Sequence, residues 1–535
     1  MESTEKGREE RSTDYSVLLF PLGIIVFFAL MIFFFPQRSQ FIIDELFSIF
    51  ANRLGVFYIL AGVFVLGASI YIAASKYGNI KLGTLEKPRY TPFKWGAMIF
   101  TSTMAADILY WSLIEWAYYY SANPAGTGEL LEIQRQQIAS TYPLFHWGPI
   151  PWAFYILPAA AYAYMFFVKK GKRQTLSEAC RPILKDKIDK GLGKVIDIVS
   201  VVGFLGGTAT TFALATPLMT NIINKLLGMN ADKSLTIAVL LVNGVVFTLA
   251  VLFGMKAIAW LAVACVVVFC TLLAYVFFLG PTGFIIESGV SGIGNMVQNF
   301  IGMATWTDPL RLTGDGVSGF PQDWTIFYWA YWIAWFVATP FFIAKISEGR
   351  TIRQMISGAY FFGISGTFTS FIVFGNFGLY QQVTGKVDAS TMLNEVAPAE
   401  VIVRLFDQIP GTNIALLLLV IAMFAFYAST FDAITLVAAG FCKKTLMGHK
   451  QPDRKLRALW AGVFIILPVA LIWSENTLQH LQTVSIIAAF PLGIILLLIV
   501  FSFIKELRAK KADGAASSGN DPVQDVFEPA AIKSE

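Results

Sequence analysis

The chain has 535 residues, 56% hydrophobic and 14% charged, with a formal net charge of +5 and a mean hydropathy of +0.63. No soluble domain of this size carries so many apolar runs of about 18 residues or more, so the class is a polytopic helical membrane protein. Three dispersed histidines, four scattered cysteines and no phosphate-binding loop leave metal catalysis, a disulfide framework and ATP-driven pumping without support, and the positive charge belongs to loops rather than to a nucleic-acid surface.

A short charged tail covers residues 1–14. The run at 15–35 has no small-residue cleavage site and is read as a first membrane helix, not a signal peptide. Eleven more spans follow near 54–75, 93–121, 144–168, 194–225, 235–254, 257–280, 322–346, 352–380, 412–441, 457–474 and 481–504. Lys and Arg collect in 76–89, 169–194, 345–353, 443–457 and 505–511, each after an even-numbered span. That bias places these loops and both termini in the cytoplasm. The outer segments 282–303 and 393–408 read as amphipathic rather than spanning, and the tail 506–535 as disordered.

The third span contains Thr101-Ser102-Thr103-Met104-Ala105-Ala106, small and polar residues with weak helix support at a membrane centre. Unwinding there would expose backbone carbonyls to a ligand or ion. Asp107 follows. A carboxylate at mid-membrane costs roughly 2.5–3.5 kcal/mol, so it must face a cavity or a partner. It reads as a counter-charge, an ion ligand or a proton carrier, against a purely structural hydrogen bond. Glu115, two turns on, reads as a brace. The fourth span opens FHWGPIPWAFY, where Pro149 and Pro151 prevent regular hydrogen bonding. Trp152 and Tyr155 share a face beyond Trp147, and His146 reads as structural. In the fifth span Thr208, Thr210 and Thr211 either ligate a hard cation or bond back to carbonyls one turn earlier.

The eighth span, WTIFYWAYWIAW, sets Trp324, Tyr328, Tyr331, Trp332 and Trp335 in one helical stripe. Aromatic faces away from water attract a cation with no hydrogens to donate, above all a quaternary ammonium; an interfacial belt is the plainer reading. The tenth span adds Ser429, Thr430 and Asp432 as a second oxygen cluster.

DWTIFYWAYWIAW, the following AKISEGRTIRQ at 344–354 and FHWGPIPWAFY together resemble the betaine/choline/carnitine transporter family, and the likeness runs from about 15 to 505. The resemblance implies an all-α membrane fold of twelve helices in the cytoplasmic membrane. Two extra helices precede inverted, LeuT-like five-helix repeats at about 93–280 and 322–504. It also implies a homotrimer and secondary active transport rather than an enzyme. A central aromatic box would use Trp147, Trp152 and Tyr155 with Tyr331, Trp332 and Trp335, while Trp324 lies nearer a mouth. Met104, Asp107 and Tyr119 complete the implied substrate set, and Ala105, Thr208, Thr211, Ser429 and Thr430 the implied ion set. The only cofactor expected is Na⁺ as a coupling ion; the partners are a quaternary ammonium solute and the lipid bilayer.

Three departures bear on specificity. Tyr331-Trp332 stands where the family usually has a Trp-Trp pair. Thr103–Asp107 replaces the glycine-rich segment of sodium-coupled betaine carriers, and Asp107 is similar to an aspartate of choline-carrying members. The region resembles the carnitine/γ-butyrobetaine exchangers, yet Ala259 occupies the position of their arginine. The expectation is therefore an ion-coupled (Na⁺ or H⁺) carrier of choline, glycine betaine, carnitine or a close relative, with ion-independent exchange as the alternative.

Overall fold

The computed structural model describes residues 13–518 apart from 103–105, 125, 127, 172, 254, 314–318, 447–450 and 475–476; at 101–102, 250–253, 255–262 and 510–518 it describes the backbone alone. Met104 and Ala105 lie outside the described residues, as does the side chain of Ala259. Among the described residues there are helices and no strand, with isolated bridges only at Thr13–Lys443 and Lys81–Thr351.

The chain opens with α1 (Tyr15–Phe34), α2 (Pro36–Phe47) and α3 (Val56–Ala74). The third predicted span holds α4 (Pro92–Ser102) and α5 (Ala106–Ser121); α6 (Glu132–His146) lies mostly ahead of the fourth, in a stretch where no span was expected, and the fourth holds α7 (Pro149–Phe167). Then come α8 (Gly191–Leu227), α9 (Lys233–Phe253), α10 (Met255–Leu279) and α11 (Thr282–Thr305). The eighth span supplies α12 (Ile326–Trp335) and α13 (Thr339–Ile346), followed by α14 (Ile352–Ser370), α15 (Asn376–Val383) and α16 (Pro398–Phe406). The last spans are α17 (Thr412–Phe441), α18 (Arg454–Trp473) and α19 (Leu478–Ser518). Each of the twelve predicted segments thus contains helix where described. Among the described residues eight helices are long and apolar enough to cross a membrane, ten if each of two bent pairs is one span.

Both bends have proline at the second helix. α10 meets α11 at 105° beside Pro281, and α12 meets α13 at 55° with Pro340 in the first turn of α13. Proline lacks the N–H and clashes with the preceding turn, so the ladder stops there. The single straight span expected over 322–346 is accordingly two helices, broken at 336–338 directly after the aromatic stripe. α11 buries Ile285, Ser288, Met296 and Met303, while the apolar Ile286, Val290, Val297 and Ile301 are exposed, and with α10 it is long and apolar enough to count as one bent span. α16 buries Val401, Ile402, Leu405 and Phe406 and exposes the Glu400–Arg404 pair.

α8 lies in the middle, against α19, α12 and α17. Backbones come close there because the facing residues are small: a Cβ on Gly207 would sit 2.3 Å from the Cβ of Ala334 on α12. α19 continues to Ser518, into the tail expected to be disordered. Its Lys505-Glu506-Leu507-Arg508-Ala509 stretch consists of strong helix formers, which extend a helix already nucleated in the bundle.

Candidate functional site

The box begins at the joint between α6 and α7. Trp147 is the last residue of α6's cap, Gly148 follows, and Pro149 starts α7. A Cβ on Gly148 would lie 2.5 Å from the Leu144 carbonyl oxygen, so only glycine fits this turn. The joint presents Trp147, and α7 presents Trp152 and Tyr155, toward α12.

Trp332 of α12 lies against all three. Its ring centroid is 5.4 Å from that of Trp147, 5.6 Å from Trp152 and 4.7 Å from Tyr155. The interplanar angles of 64°, 63° and 44° are tilted and edge-to-face contacts, the geometry the ring quadrupole favours. Trp152 and Tyr155 also meet edge to face at 5.9 Å. All four are buried, at 9% exposure or less.

Tyr331 and Trp335 do not join that ring cluster. Neighbouring residues of a helix diverge by about 100°, and α12 is packed on both sides. Tyr331 therefore points away from Trp332, and its hydroxyl donates to Asp107 Oδ2 at 3.1 Å. Thr211 on α8 shares a short hydrogen bond with the same hydroxyl. Asp107, in the first turn of α5, also accepts from the Ile108 N–H at 3.0 Å. Trp335 ends α12, is half-buried, and meets Phe204 of α8 edge to face at 5.6 Å. The six-residue box read from sequence is thus four rings plus a separate Asp107–Tyr331–Thr211 hydrogen-bonded group.

Tyr119 and Trp324 belong to a third assembly. Trp324 is half-buried against Tyr118 at 5.0 Å, Tyr119 at 5.1 Å and Trp111 at 6.3 Å. The Tyr119 hydroxyl donates to Glu115 Oε1 at 2.7 Å and lies 2.8 Å from His146 Nδ1. Glu115 Oε2 accepts the Trp147 indole N–H at 2.7 Å, and His146 Nε2 contacts Thr325 Oγ1 at 3.1 Å. Glu115 and His146 are fully buried. Both act as braces, and Glu115 fixes the plane of a box wall.

The oxygen residues separate as well. Thr208 Oγ1 bonds back to Phe204 O at 2.9 Å and Leu205 O at 3.1 Å. Thr210 donates across to Leu481 O at 2.9 Å. On α17, Thr430 is buried and Ser429 half-buried, and among the described residues neither hydroxyl has a hydrogen-bond partner. Two such hydroxyls beside α8 fit a hard cation by chemistry. Asp432 is engaged elsewhere: it forms a close ion pair with Arg457 of α18.

The sequence reading missed the wall behind the box. On α14, Phe371 packs on Trp147 at 4.9 Å, just past the helix end, and Thr367 and Gly363 face Trp147 and Trp152. The only sequence signal was small residues at i and i+4 in an otherwise aromatic span.

Residues 16–512 match the family described as BCCT, betaine/carnitine/choline family transporter. A probable glycine betaine transporter of Desulfitobacterium hafniense is 30% identical over 507 residues, 92% of this chain and 97% of its own. A carnitine transporter of Acinetobacter baumannii is 29% identical, covering 86% and 82%. The high-affinity choline transport protein of Escherichia coli is 27% identical, covering 95% and 74%.

Proposed function

The chain belongs to the betaine/carnitine/choline transporter family, and from that premise we propose that it moves a quaternary ammonium solute across the cytoplasmic membrane by alternating access. The observation that carries this is Trp332 in simultaneous contact with Trp147, Trp152 and Tyr155. A trimethylammonium group has no N–H to donate. Water and polar side chains therefore hold it weakly, and desolvated aromatic faces hold it well, at about 2 kcal/mol or less per contact. Glu115 keeps the Trp147 indole in place for that task.

Asp107 addresses the rest of the solute. A buried carboxylate next to the box supplies counter-charge to a net cation such as choline. Glycine betaine and carnitine carry their own carboxylate, which Asp107 repels. This supports choline or a similar net cation as the preferred cargo. The unpartnered Ser429 and Thr430 hydroxyls support Na⁺ coupling: they would hold the ion through oxygen, with its charge linked to the solute site. Rocking of one five-helix repeat against the other supplies the alternating access, and the break at 336–338 gives α12 a joint on which to move. The working unit is a homotrimer with both termini in the cytoplasm.

Uptake into proteoliposomes tests the reading. Choline, glycine betaine, carnitine and γ-butyrobetaine are compared with and without an inward Na⁺ gradient. Choline uptake that rises with the gradient is the expected result. Uptake that needs a counter-solute inside and ignores Na⁺ turns the mechanism into exchange, and no uptake of any of the four sinks the proposal.

A further inference from the structure

We propose that α14, through Thr367 and Gly363, is the element that positions the head-group wall, with Thr367 as a positioning residue for both of its tryptophans. The reasoning starts from Pro151. In a helix the Trp147 carbonyl would accept the N–H four residues on, but that residue is Pro151, which has none. Trp147 is buried, at 2% exposure, so water does not make up the loss. Thr367 does: its hydroxyl donates to the Trp147 carbonyl at 2.8 Å.

The same oxygen accepts the Trp152 indole N–H at 3.4 Å. One fully buried hydroxyl thus ties the backbone of the first wall residue to the ring of the second. Its alternatives lie within its own helix, at Ile364 O (3.2 Å) and Gly363 O (3.5 Å). A hydroxyl has a single proton, so the bond to Trp147 is made at the expense of the usual back-bond. One turn earlier, Gly363 lets the Trp152 ring lie on the α14 backbone. A Cβ there would sit 2.8 Å from three of its ring carbons. Phe371, just past the end of α14, packs on Trp147 from the same side. Both tryptophans are therefore set from behind by α14, a helix that itself contributes no ring to the four-membered cluster.

The assignment rests on the head-group reading of the box, and the test separates the two. Tetramethylammonium chloride, the head group alone, is titrated against intrinsic tryptophan fluorescence of the full-length protein. No response in wild type overturns both readings. With a wild-type response, Thr367→Val, which keeps the shape and removes the hydroxyl, is expected to raise the dissociation constant about tenfold. Thr367→Ser is expected to restore it. In choline uptake, Thr367→Val should raise KM with Vmax little changed, whereas a merely structural lesion lowers Vmax and thermal stability together. Gly363→Ala pushes on Trp152 independently of the hydroxyl, is expected to weaken tetramethylammonium similarly, and decides the matter if Thr367→Val does not fold. Wild-type affinity in both Thr367→Val and Gly363→Ala overturns the role of α14.

Discussion

Trp332 and Tyr331 are sequence neighbours with different jobs. Trp332 closes the ring cluster, and Tyr331 donates to Asp107. Replacing Trp332 with Leu keeps an apolar residue and removes the π-face. Loss of one desolvated cation–π contact of about 2 kcal/mol weakens choline roughly thirtyfold. Quenching titrations read this directly, and an unchanged dissociation constant would remove Trp332 from the site. Asp107→Asn keeps the Tyr331 hydrogen bond and deletes the charge. Choline uptake should fall about tenfold or more, while glycine betaine and carnitine change less or improve. Equal losses for all three would mean that Asp107 only holds Tyr331. Both residues were legible in the sequence, as an aromatic at helical spacing and a carboxylate in a membrane span. The division of labour between 331 and 332 was not, because it depends on which helices pack on either side of α12.

At the level of elements, the site is assembled where helices stop. α6 ends at His146, α7 starts at Pro149, and the turn between them aims Trp147 inward. Gly148→Ala drives a methyl group toward the Leu144 carbonyl oxygen, 2.5 Å away. Overpacking of that kind costs about 1–3 kcal/mol, so the melting temperature of the solubilised protein should fall and choline affinity with it. A wild-type melting curve would show that the joint relaxes freely. The prolines that break these helices were visible in FHWGPIPW, and the start of α7 follows from them. The bend between α12 and α13 has the same origin in Pro340, but hydropathy runs unbroken through VATPFF and hides it. The backing role of α14 left almost no trace, since a threonine and a glycine become informative only once the rings they touch are known.

Across the whole molecule, the basic segments meet one another. Residues 80–82 pair with 349–352 through Leu82 N–H to Arg350 O at 2.8 Å and Gly349 N–H to Leu82 O at 2.7 Å. Arg350 lies over the Trp95 ring at 4.1 Å, and Arg89 pairs with Glu348 at 3.1 Å. Asp14 meets Lys194 and the Cys442 carbonyl, and Lys169 meets Glu506. These contacts join the segment after α3 to the one after α13, the residues before α1 to α8 and the end of α17, and the segment after α7 to α19, at the end that the Lys and Arg bias assigns to the cytoplasm. At the opposite end, α11 leaves Ile286, Val290, Ile293, Val297 and Ile301 exposed along one face. In a membrane protein such a stripe faces lipid or another subunit. The homotrimer proposed above needs a face of this kind: Val290→Glu on it is expected to convert a trimeric mass in native mass spectrometry to a monomeric one, and an intact trimer would place the subunit contact elsewhere.

The sequence by itself determined the helical membrane class, the positions of the long apolar helices and the aromatic and acidic residues from which the candidate site is built. All of these are properties of local composition and period, which water and lipid impose on each segment alone. Only the tertiary structure decided that four of the six expected box residues form one cluster, that Tyr331 turns to Asp107, that Asp432 is taken up by Arg457, and that Thr367 replaces the donor missing at Pro151. Each of those outcomes depends on which helix lies opposite which. That is settled by packing between segments far apart in the chain, through hydrogen bonds and ring contacts that no single segment contains.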